Sequence, residues 1–388
     1  MTRRRGPEVI VVGAGMVGSA LALALAQAGR QVCLVEHRVP ERWQAEPADL
    51  RVVALAPDNA AWLQALGVWA VIAAQAQPYR AMRVWDAGAP GEVHFSADEM
   101  GRAELGWIIE NRLIVDVLWQ AVTAHPGVRC CCPDEVDAIE PGHADVSVGL
   151  RSGVRWSADL LVAADGGASP TRARLGIGTQ DRDYGQRALV ALVNTESPHQ
   201  STCWQRFLPG GPLAFLPFRD GRSSIVWSLP AAEADRLRGL DEAAFSAELE
   251  RALDGRLGAL QVASPRLAFP LRRSLALDYV RGRCALVGDA AHVVHPLAGQ
   301  GVNLGLRDAR ALALATAGAD DCGELRALQR WARRQRSDNA VAAHAFETIL
   351  RVTTSSAMLP TLARGPLLGL VDRFQPIKQM LMRQAMGG

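Results

Sequence analysis

The sequence predicts an α/β fold. A parallel sheet with a glycine-rich first crossing is joined to an antiparallel sheet and followed by a C-terminal helical segment. Three observations carry this. The apolar run Val9–Val12 leads into Gly13, Gly15 and Gly18, spaced G-x-G-x-x-G, and then into a helical run and a second apolar strand. Two further apolar strands, 159–164 and 283–287, each open into a turn carrying glycine and aspartate. Between them, segments 187–194, 201–208, 211–219 and 223–229 read as strands separated by turn residues, the mark of an antiparallel sheet.

The first crossing carries the most chemistry. Gly13 allows a sharp turn, Gly15 lets backbone approach a pyrophosphate, and Gly18 lets the helix pack on the strand. The helix, expected from Met16 to Ala28, offers the N–H groups of its first turn, Met16 and Val17 among them, to phosphates. Gly29 suits its C-terminal cap. A second strand, 31–35, ends at Glu36, followed by His37. An acid there can take both hydroxyls of an adenosine ribose, which fits FAD or NAD and disfavours NADP. The cluster Arg3–Arg5 before an apolar run also resembles an export signal or a membrane span. Three glycines in register, a charge closing the next strand and the lack of a small-residue cleavage site argue against that reading.

Composition narrows the remainder. A chain of 388 residues suggests two to three domains, and 49% hydrophobic residues supply a large core. A net charge of +2 makes no general case for nucleic acid. Lys378 is the sole lysine, which excludes a mechanism needing an active-site lysine in the body of the chain. The seven cysteines show no framework or C-x-x-C spacing, so the reducing cytoplasm is the expected compartment.

Along the chain, 40–47 is a polar loop, and Asp49–Leu55 brings Arg51 near an expected phosphate site; a surface arginine is the plain alternative. A short amphipathic helix is expected over 59–66, ending at Gly67. Residues 81–95 alternate as a β-excursion outside the parallel sheet. Trp107–Ile109 leads into a helix with Leu113, Val117, Leu118 and Val122 on its apolar side. Arg112 lies at that helix start, where a cation opposes the dipole and a bound anion would relieve the conflict. Runs 128–132, 135–139, 146–150 and 154–156 suggest a small meander.

Strand 159–164 delivers Asp165 and Gly166 to a turn followed by Ser169 and Arg172, either a ligand-facing crossing or a simple capped turn. Trp204, Phe207, Phe215, Phe218 and Trp227 fall on the antiparallel sheet, as core more readily than as a ligand wall. A helix is expected over 241–253 and an extended return over 269–277. Strand 283–287 opens into Gly288 and Asp289. Pro296 then breaks the chain, and Gly299, Gln300 and Gly301 form a loop able to touch a flat ligand with backbone alone. Val302 follows, and Asn303 begins a helix whose N-terminus points at that ligand. His292 and His295 lack the carboxylates or thiolates of a metal site, so no metal is expected. A long helix spans 324–353. In the tail, Leu367, Leu368, Leu370, Val371, Phe374, Ile377, Met380 and Leu381 are flanked by Arg364, Arg373, Lys378 and Arg383. That pattern suits packing or a partner before a membrane surface.

The glycine turn with Glu36, the run DGGASPTR and the run GDAAHVVHPLAGQGVNLGLRDA together resemble the FAD-dependent aromatic hydroxylases of the para-hydroxybenzoate hydroxylase type. The likeness spans nearly the whole chain. It implies a Rossmann-type FAD-binding domain (1–80, 100–180 and 274–325), a β-sheet substrate domain (81–99 and 181–273) and C-terminal helices (326–388). It implies that the first motif holds the ADP half of FAD and that Asp165-Gly166 serves FAD and NAD(P)H. Gly288-Asp289 would hold the ribityl chain, and the loop through Pro296, Gly299 and Gly301 would lie beside the isoalloxazine. Arg51 and Arg112 join the flavin contacts by the same resemblance.

Within that family, PYRAMRVWD, ENRLIVDVLW and FLPGGPLAFLPF are similar to the ubiquinone-biosynthesis hydroxylases. The implied reaction uses NAD(P)H and O2 to hydroxylate the ring of a polyprenylated phenol or quinol through a flavin C4a-hydroperoxide, with a late ring position favoured. No protein nucleophile is required, so no catalytic acid or base is named. Membership of a ubiquinone-biosynthesis protein complex and peripheral contact with the inner membrane are compatible with the resemblance. A flavin halogenase would need W-x-W-x-I-P and a lysine; IVWSLP at 225–230 lacks the first Trp, and Lys378 is at the wrong end. A hydroxylase of another phenolic molecule, a prenyl-reducing flavin reductase and a non-catalytic flavin-holding subunit remain the alternatives.

Overall fold

A computed structural model describes residues 6–295 and 300–354. Its centre is a six-stranded sheet in which Val9–Val12 lies between Val32–Val35 and Leu160–Ala163, parallel to both. Every residue of those three strands is buried, as expected of continuous apolar runs covered on both faces. Cys284–Leu286 extends the sheet beyond Leu160–Ala163, and Val128–Cys131 extends it beyond Val32–Val35. The helix Met16–Gln27 packs against Asn111–Ala124 and Gln300–Thr316. All four apolar positions expected on Asn111–Ala124 are buried.

This topology places the chemistry. Strand order reverses about Val9–Val12, and a doubly wound sheet binds ligands at such a switch point, outside the carboxyl ends of its strands. Gly13, Glu36, Asp165 and Gly288 all sit just past carboxyl ends of neighbouring strands. One expectation is corrected here. Val128–Cys131 belongs to the parallel sheet, because the helix Asn111–Ala124 is a crossover that returns the chain beside Val32–Val35. The meander proper has three strands, Val136–Pro141, Val146–Leu150 and Arg155–Ala158.

The second, nine-stranded sheet runs, among the described residues, from His292–Val293 and Leu267–Ala276 through Thr179–Thr195, Ser223–Pro230, Gly211–Pro217 and Thr202–Leu208 to Ala81–Asp86 and Glu92–Ser96, with Leu260–Val262 paired to Thr179–Thr195. Its pairing is antiparallel except where Thr202–Leu208 meets Ala81–Asp86. Period-two alternation gives it two different faces. Leu189, Ala191, Leu213, Phe215, Ile225 and Trp227 pack against the helices Ala231–Gly239 and Glu242–Ala252 through Ala234, Leu237, Phe245 and Leu249. Asp241 caps the second helix by accepting from Ala244 N at 2.7 Å. The first of these helices carries no periodicity noted in the sequence. On the opposite face Ala188, Val190, Ala214, Leu216, Val226 and Ser228 face a cavity. Across that cavity lies a small antiparallel sheet of Val52–Leu55, Gly106–Glu110 and Gln77–Tyr79. The aromatics divide accordingly: Phe215 and Trp227 are core, Phe207 and Phe218 are buried, and Trp204 is half-buried at the cavity wall.

The helix expected to begin at Asn303 begins at Gln300, so Asn303 lies in its first turn. Its fully buried amide joins three elements. Oδ1 accepts from Ala56 N and from Asn59 Nδ2, both at 2.9 Å, and Nδ2 donates to Ala54 O at 2.8 Å. The long C-terminal helix runs Leu325–Thr354, and the apolar tail 367–381 lies outside the described residues. Among the described residues no helix is long and apolar enough to cross a membrane. Asn303→Leu keeps the volume but strands Ala56 N–H and Ala54 C=O inside the protein, so it is expected to destabilise by about 2–4 kcal/mol. A lowered urea midpoint at unchanged slope checks this.

Candidate active site

The first glycine turn does what its spacing requires. Gly13 has φ +103°, and a Cβ there would lie 2.4 Å from Ala164 O. A Cβ on Gly18 would stand 2.0 Å from Gly13 O, so helix and turn touch backbone to backbone. Gly15 is the opposite case, with nothing within 4 Å of its Cβ position. That open space lies over the N-terminus of Met16–Gln27, where free N–H groups favour a diphosphate. Glu36 reaches back to this turn: Oε2 accepts from Ala14 N at 2.6 Å and Oε1 from His37 N at 2.9 Å. His37, largely exposed, also contacts the carboxylate through Nδ1.

Arg51 and Arg112 are held by a carboxylate that sequence reasoning missed. Buried Asp49 accepts from Arg51 N and Arg112 N, each at 3.1 Å, and its own N–H donates to Glu110 Oε1 at 2.7 Å. Asp49 therefore meets the exposed N–H groups of the helix Asn111–Ala124, and Glu41 lies 3.6 Å from the Arg112 guanidinium. The conflict of Arg112 with the helix dipole is eased by these acids without a bound anion. Arg51 stays largely exposed, with Nε 3.9 Å from Asp49, and lines the cavity. Burial raises the pKa of Glu110, against the opposing hydrogen bonds from Asp49 and Trp43 and the charge of Arg219.

At the second crossing, Gly166 turns with φ +82°. Asp165 spends both oxygens locally, accepting from the Ser169 hydroxyl and from Thr171 N at 2.9 Å. Its side chain organises the turn, and the surface left for a ligand there is backbone. Arg172 ties this crossing to the third by donating to Gly167 O at 3.0 Å and Ala290 O at 2.8 Å.

At the third crossing, Gly288 has φ +60°, and its N–H donates to Asp308 Oδ2 at 3.1 Å. The same oxygen is 2.5 Å from His292 Nε2, while Asp308 Oδ1 accepts from Asn339 Nδ2 at 2.9 Å. Both members of the Asp308–His292 pair are fully buried. Burial opposes the imidazolium, yet the charge and hydrogen bond of Asp308 outweigh it and raise the His292 pKa. Asp289 has exposed surface but is closely surrounded by protein, the condition of a group on a crevice wall. Burial raises its carboxyl pKa, opposed by His292 and Arg272. Gln300, Gly301 and Val302 form the start of the following helix; Pro296 and Gly299 lie outside the described residues. The Asn303 side chain is committed to packing, which leaves the helix backbone as what this segment can offer a ligand. His295 is buried, its pKa is pushed down to about 4 by burial, and its ring meets Tyr184 edge-on at 5.2 Å. Among the described residues no cluster of His, Cys, Asp or Glu could hold a metal.

The cavity between the two sheets has a volume of about 260 Å³. Ala54, Met82, Val190, Ala214, Leu216 and Leu271 are typical of its walls, and Arg51 is the one charged residue lining it among those described. Tyr79 and Cys203 are its acidic hydrogens, and burial raises both pKa values far above neutrality. The cavity therefore has no group suited to general acid–base catalysis at neutral pH. It can hold, orient and dehydrate an apolar ring.

A glycine cradle for a diphosphate, an acid at the ribose position and an exposed carboxylate at the third crossing fit a long dinucleotide lying across the carboxyl ends of the parallel sheet, and a cavity with mostly apolar walls lies between the other two sheets. These features define a dinucleotide-dependent oxidoreductase. The FAD binding domain family matches residues 7–320. The 3-demethoxyubiquinol 3-hydroxylase of Escherichia coli (strain K12) is 38% identical over 389 residues, covering 98% of each chain. The ubiquinone hydroxylase UbiL of Rhodospirillum rubrum is 35% identical over 384 residues, covering 98% of this chain and 89% of the relative. The crystal structure of p-nitrophenol 4-monooxygenase PnpA from Pseudomonas putida superposes with a TM-score of 0.78 at 19% identity, covering 98% of each chain, a likeness of fold. The chain belongs to the FAD-dependent aromatic hydroxylases, in the branch of the ubiquinone-biosynthesis hydroxylases, and is a flavoprotein monooxygenase.

Two outcomes follow from this geometry. Gly15→Val fills the open space above the helix N-terminus, and Asp289→Ala removes the crevice carboxylate. Each is expected to yield purified protein without bound FAD, read from the 450 nm absorbance; a yellow, fully loaded Asp289→Ala protein would contradict the assignment. His295 is neutral when folded down to about pH 4, against 6.5 as its ordinary value. Its contribution is complete above pH 6.5 and is lost as pH falls through that window, by up to about 3 kcal/mol. His295→Phe is expected to flatten this part of the stability–pH curve.

Proposed function

We propose that this flavoprotein hydroxylates the ring of a polyprenylated phenol or quinol in ubiquinone biosynthesis, at a late ring position, the carbon beside the methyl and methoxy groups. The observation that carries the reading is the cavity of mostly apolar walls between the two sheets. An apolar cavity of about 150 Å³ holds a benzene, so about 260 Å³ suits a substituted ring. A polyprenyl tail must lie outside it. On the strand Leu267–Ala276, buried Leu271, then Phe269 at 37% exposure and Leu267 at 42%, form an apolar row from the cavity wall to the surface. That row suits the exit of such a tail.

Bound FAD supplies hydride acceptance from NAD(P)H and an electrophilic oxygen derived from O2. The residues proposed to hold it are those of the three crossings. Gly13, Gly15, Met16, Val17 and Gly18 would take the diphosphate with backbone, and Glu36 and His37 the adenosine ribose. Gly166, Gly288 and Asp289 would line the middle, and Gly301 and Val302 would present the helix N-terminus to the ring system, with Arg51 and Arg112 at the edge. The protein's own part is positioning and exclusion of water. The electrons for ring attack come from the phenol oxygen of the substrate, so the lack of a base in the cavity is no obstacle. The domain division given above, and contact with partners or a membrane surface, belong to this proposal.

Deleting the chain from its host is expected to accumulate a quinone intermediate lacking one oxygen substituent beside the ring methyl, identified by mass spectrometry and NMR. Restoring the chain is expected to clear it. Normal ubiquinone in the deletion strain, or an intermediate lacking a hydroxyl elsewhere on the ring, would overturn the ring position or the pathway.

A further inference from the structure

Tyr79 occupies the floor of the cavity with its polar end unspent. It ends the short strand Gln77–Tyr79 and pairs in register with Gly106. A Cβ on Gly106 would lie 2.9 Å from both the Tyr79 hydroxyl and a ring carbon. The ring therefore lies across the bare glycine, which fixes where the hydroxyl can point. The residue is 8% exposed and lines the cavity. Its phenol pKa is shifted by burial and by neighbouring Cys203, with no hydrogen bond among the causes. Among the described residues its hydroxyl has no hydrogen-bond partner.

We infer that the Tyr79 hydroxyl donates a hydrogen bond to a ring oxygen of the bound substrate and sets which ring carbon faces the flavin. The inference rests on the hydroxylase reading above. Burial and Cys203 raise the phenol pKa, so Tyr79 is a donor throughout the working pH range and takes no part in proton abstraction. Cys203 is itself buried and held as a thiol, so it offers the substrate no charge. Asn111 has a buried Oδ1 without a partner and also lines the cavity. It adjoins Arg51 at the far end of the strand that begins at Gly106. Five residues of strand separate the two, roughly 17 Å along the backbone. Tyr79 is thus an unpaired donor at one end of the floor, and Asn111 is placed to serve the other end.

Tyr79→Phe keeps the ring over Gly106 and deletes only the hydroxyl. With the FAD-loaded protein and a short-chain prenylated methoxyphenol as probe, the variant is expected to bind about tenfold more weakly, the loss typical of one neutral hydrogen bond. Binding is read by perturbation of flavin absorbance, independently of turnover. In turnover, KM is expected to rise with kcat little changed, and a larger share of the NAD(P)H consumed is expected to yield hydrogen peroxide in place of hydroxylated product. FAD content and the midpoint of thermal unfolding should match the wild type. Equal affinity and equal coupling in the two proteins would overturn the role of Tyr79. Wild-type binding without any hydroxylation would overturn the hydroxylase reading, and the affinity ratio would still decide the hydrogen bond.

Discussion

The site depends on one steric wedge, the first two turns of the helix Met16–Gln27. Gly18 rests against the carbonyl of Gly13 and the methyl of Ala164, which brings the first and second crossings together. Val17, one residue earlier, fills the gap on the other side. A Cβ on Gly288 would lie 3.2 Å from its methyls, and one on Gly305 would lie 2.8 Å away. Three segments more than a hundred residues apart in sequence thus meet on two adjacent side-chain positions. The backbone left exposed around them forms a continuous surface at the carboxyl ends of the sheet. A single added methyl group at Gly13, Gly18 or Gly305 would move one crossing away from the others.

The third crossing needs a second device, because it must hold a loop as well as a helix. Asp308 supplies it. Its carboxylate lies in the helix Gln300–Thr316 and holds the turn at Gly288, the ring of His292 and the amide of Asn339. A buried ion pair adds little net stability against an apolar alternative of the same shape, while breaking one by removing a single partner costs about 3–5 kcal/mol. Its value here is specificity of geometry. Asp308 fixes Gly288 relative to the helix Gln300–Thr316, and through Asn339 it registers the long helix Leu325–Thr354 on the same point. Trp331 adds to this by donating to Asp308 O at 3.3 Å.

What the sequence disclosed follows from this division. The glycines at 13, 15 and 18 were legible because their requirement is local backbone conformation and close approach, which one short stretch fully expresses. The two-strand excursion at 81–95 and the antiparallel region were legible from alternation. The roles of Asp49 and Asp308, and the reach of Arg172 beyond its own turn, were not, because the partners lie far along the chain: Asp49 acts on Arg112, and Arg172 acts on Ala290. Asp165 was legible as a turn residue but not as one whose carboxylate is consumed by that turn. Val128–Cys131 was grouped with the wrong sheet because a strand's partners are set by the crossover before it, and local pattern does not record them. Asn303 reads as a helix start from its position after two glycines, yet docking of the helix on Ala54 and Ala56 carries the first turn back to Gln300.

The cavity raises a different question, since nothing in local propensity calls for it. On the helix-facing side of the large sheet the chain places Leu189, Leu213, Phe215 and Trp227; on the other side, one residue away in each strand, it places Ala188, Ala214 and Ser228. Leaving apolar space unfilled costs about 24 cal/mol per Å³, so about 260 Å³ corresponds to roughly 6 kcal/mol. That is an upper figure, because the space opens toward solvent near Phe269 and Arg51. It is still of the order of the whole stability of a typical domain. Larger side chains at Ala188 and Ala214 would recover much of it by filling the space, and they would do so on strands already well formed. The small residues are therefore explained by what must enter. The placement agrees: the space lies between the sheet that carries it and the small sheet beside Arg51, and that small sheet is tied through Ala54 to Asn303 in the helix of the third crossing. A ring held there meets apolar side chains of both sheets, Ala54 and Val52 on one side and Val190, Ala214 and Leu216 on the other.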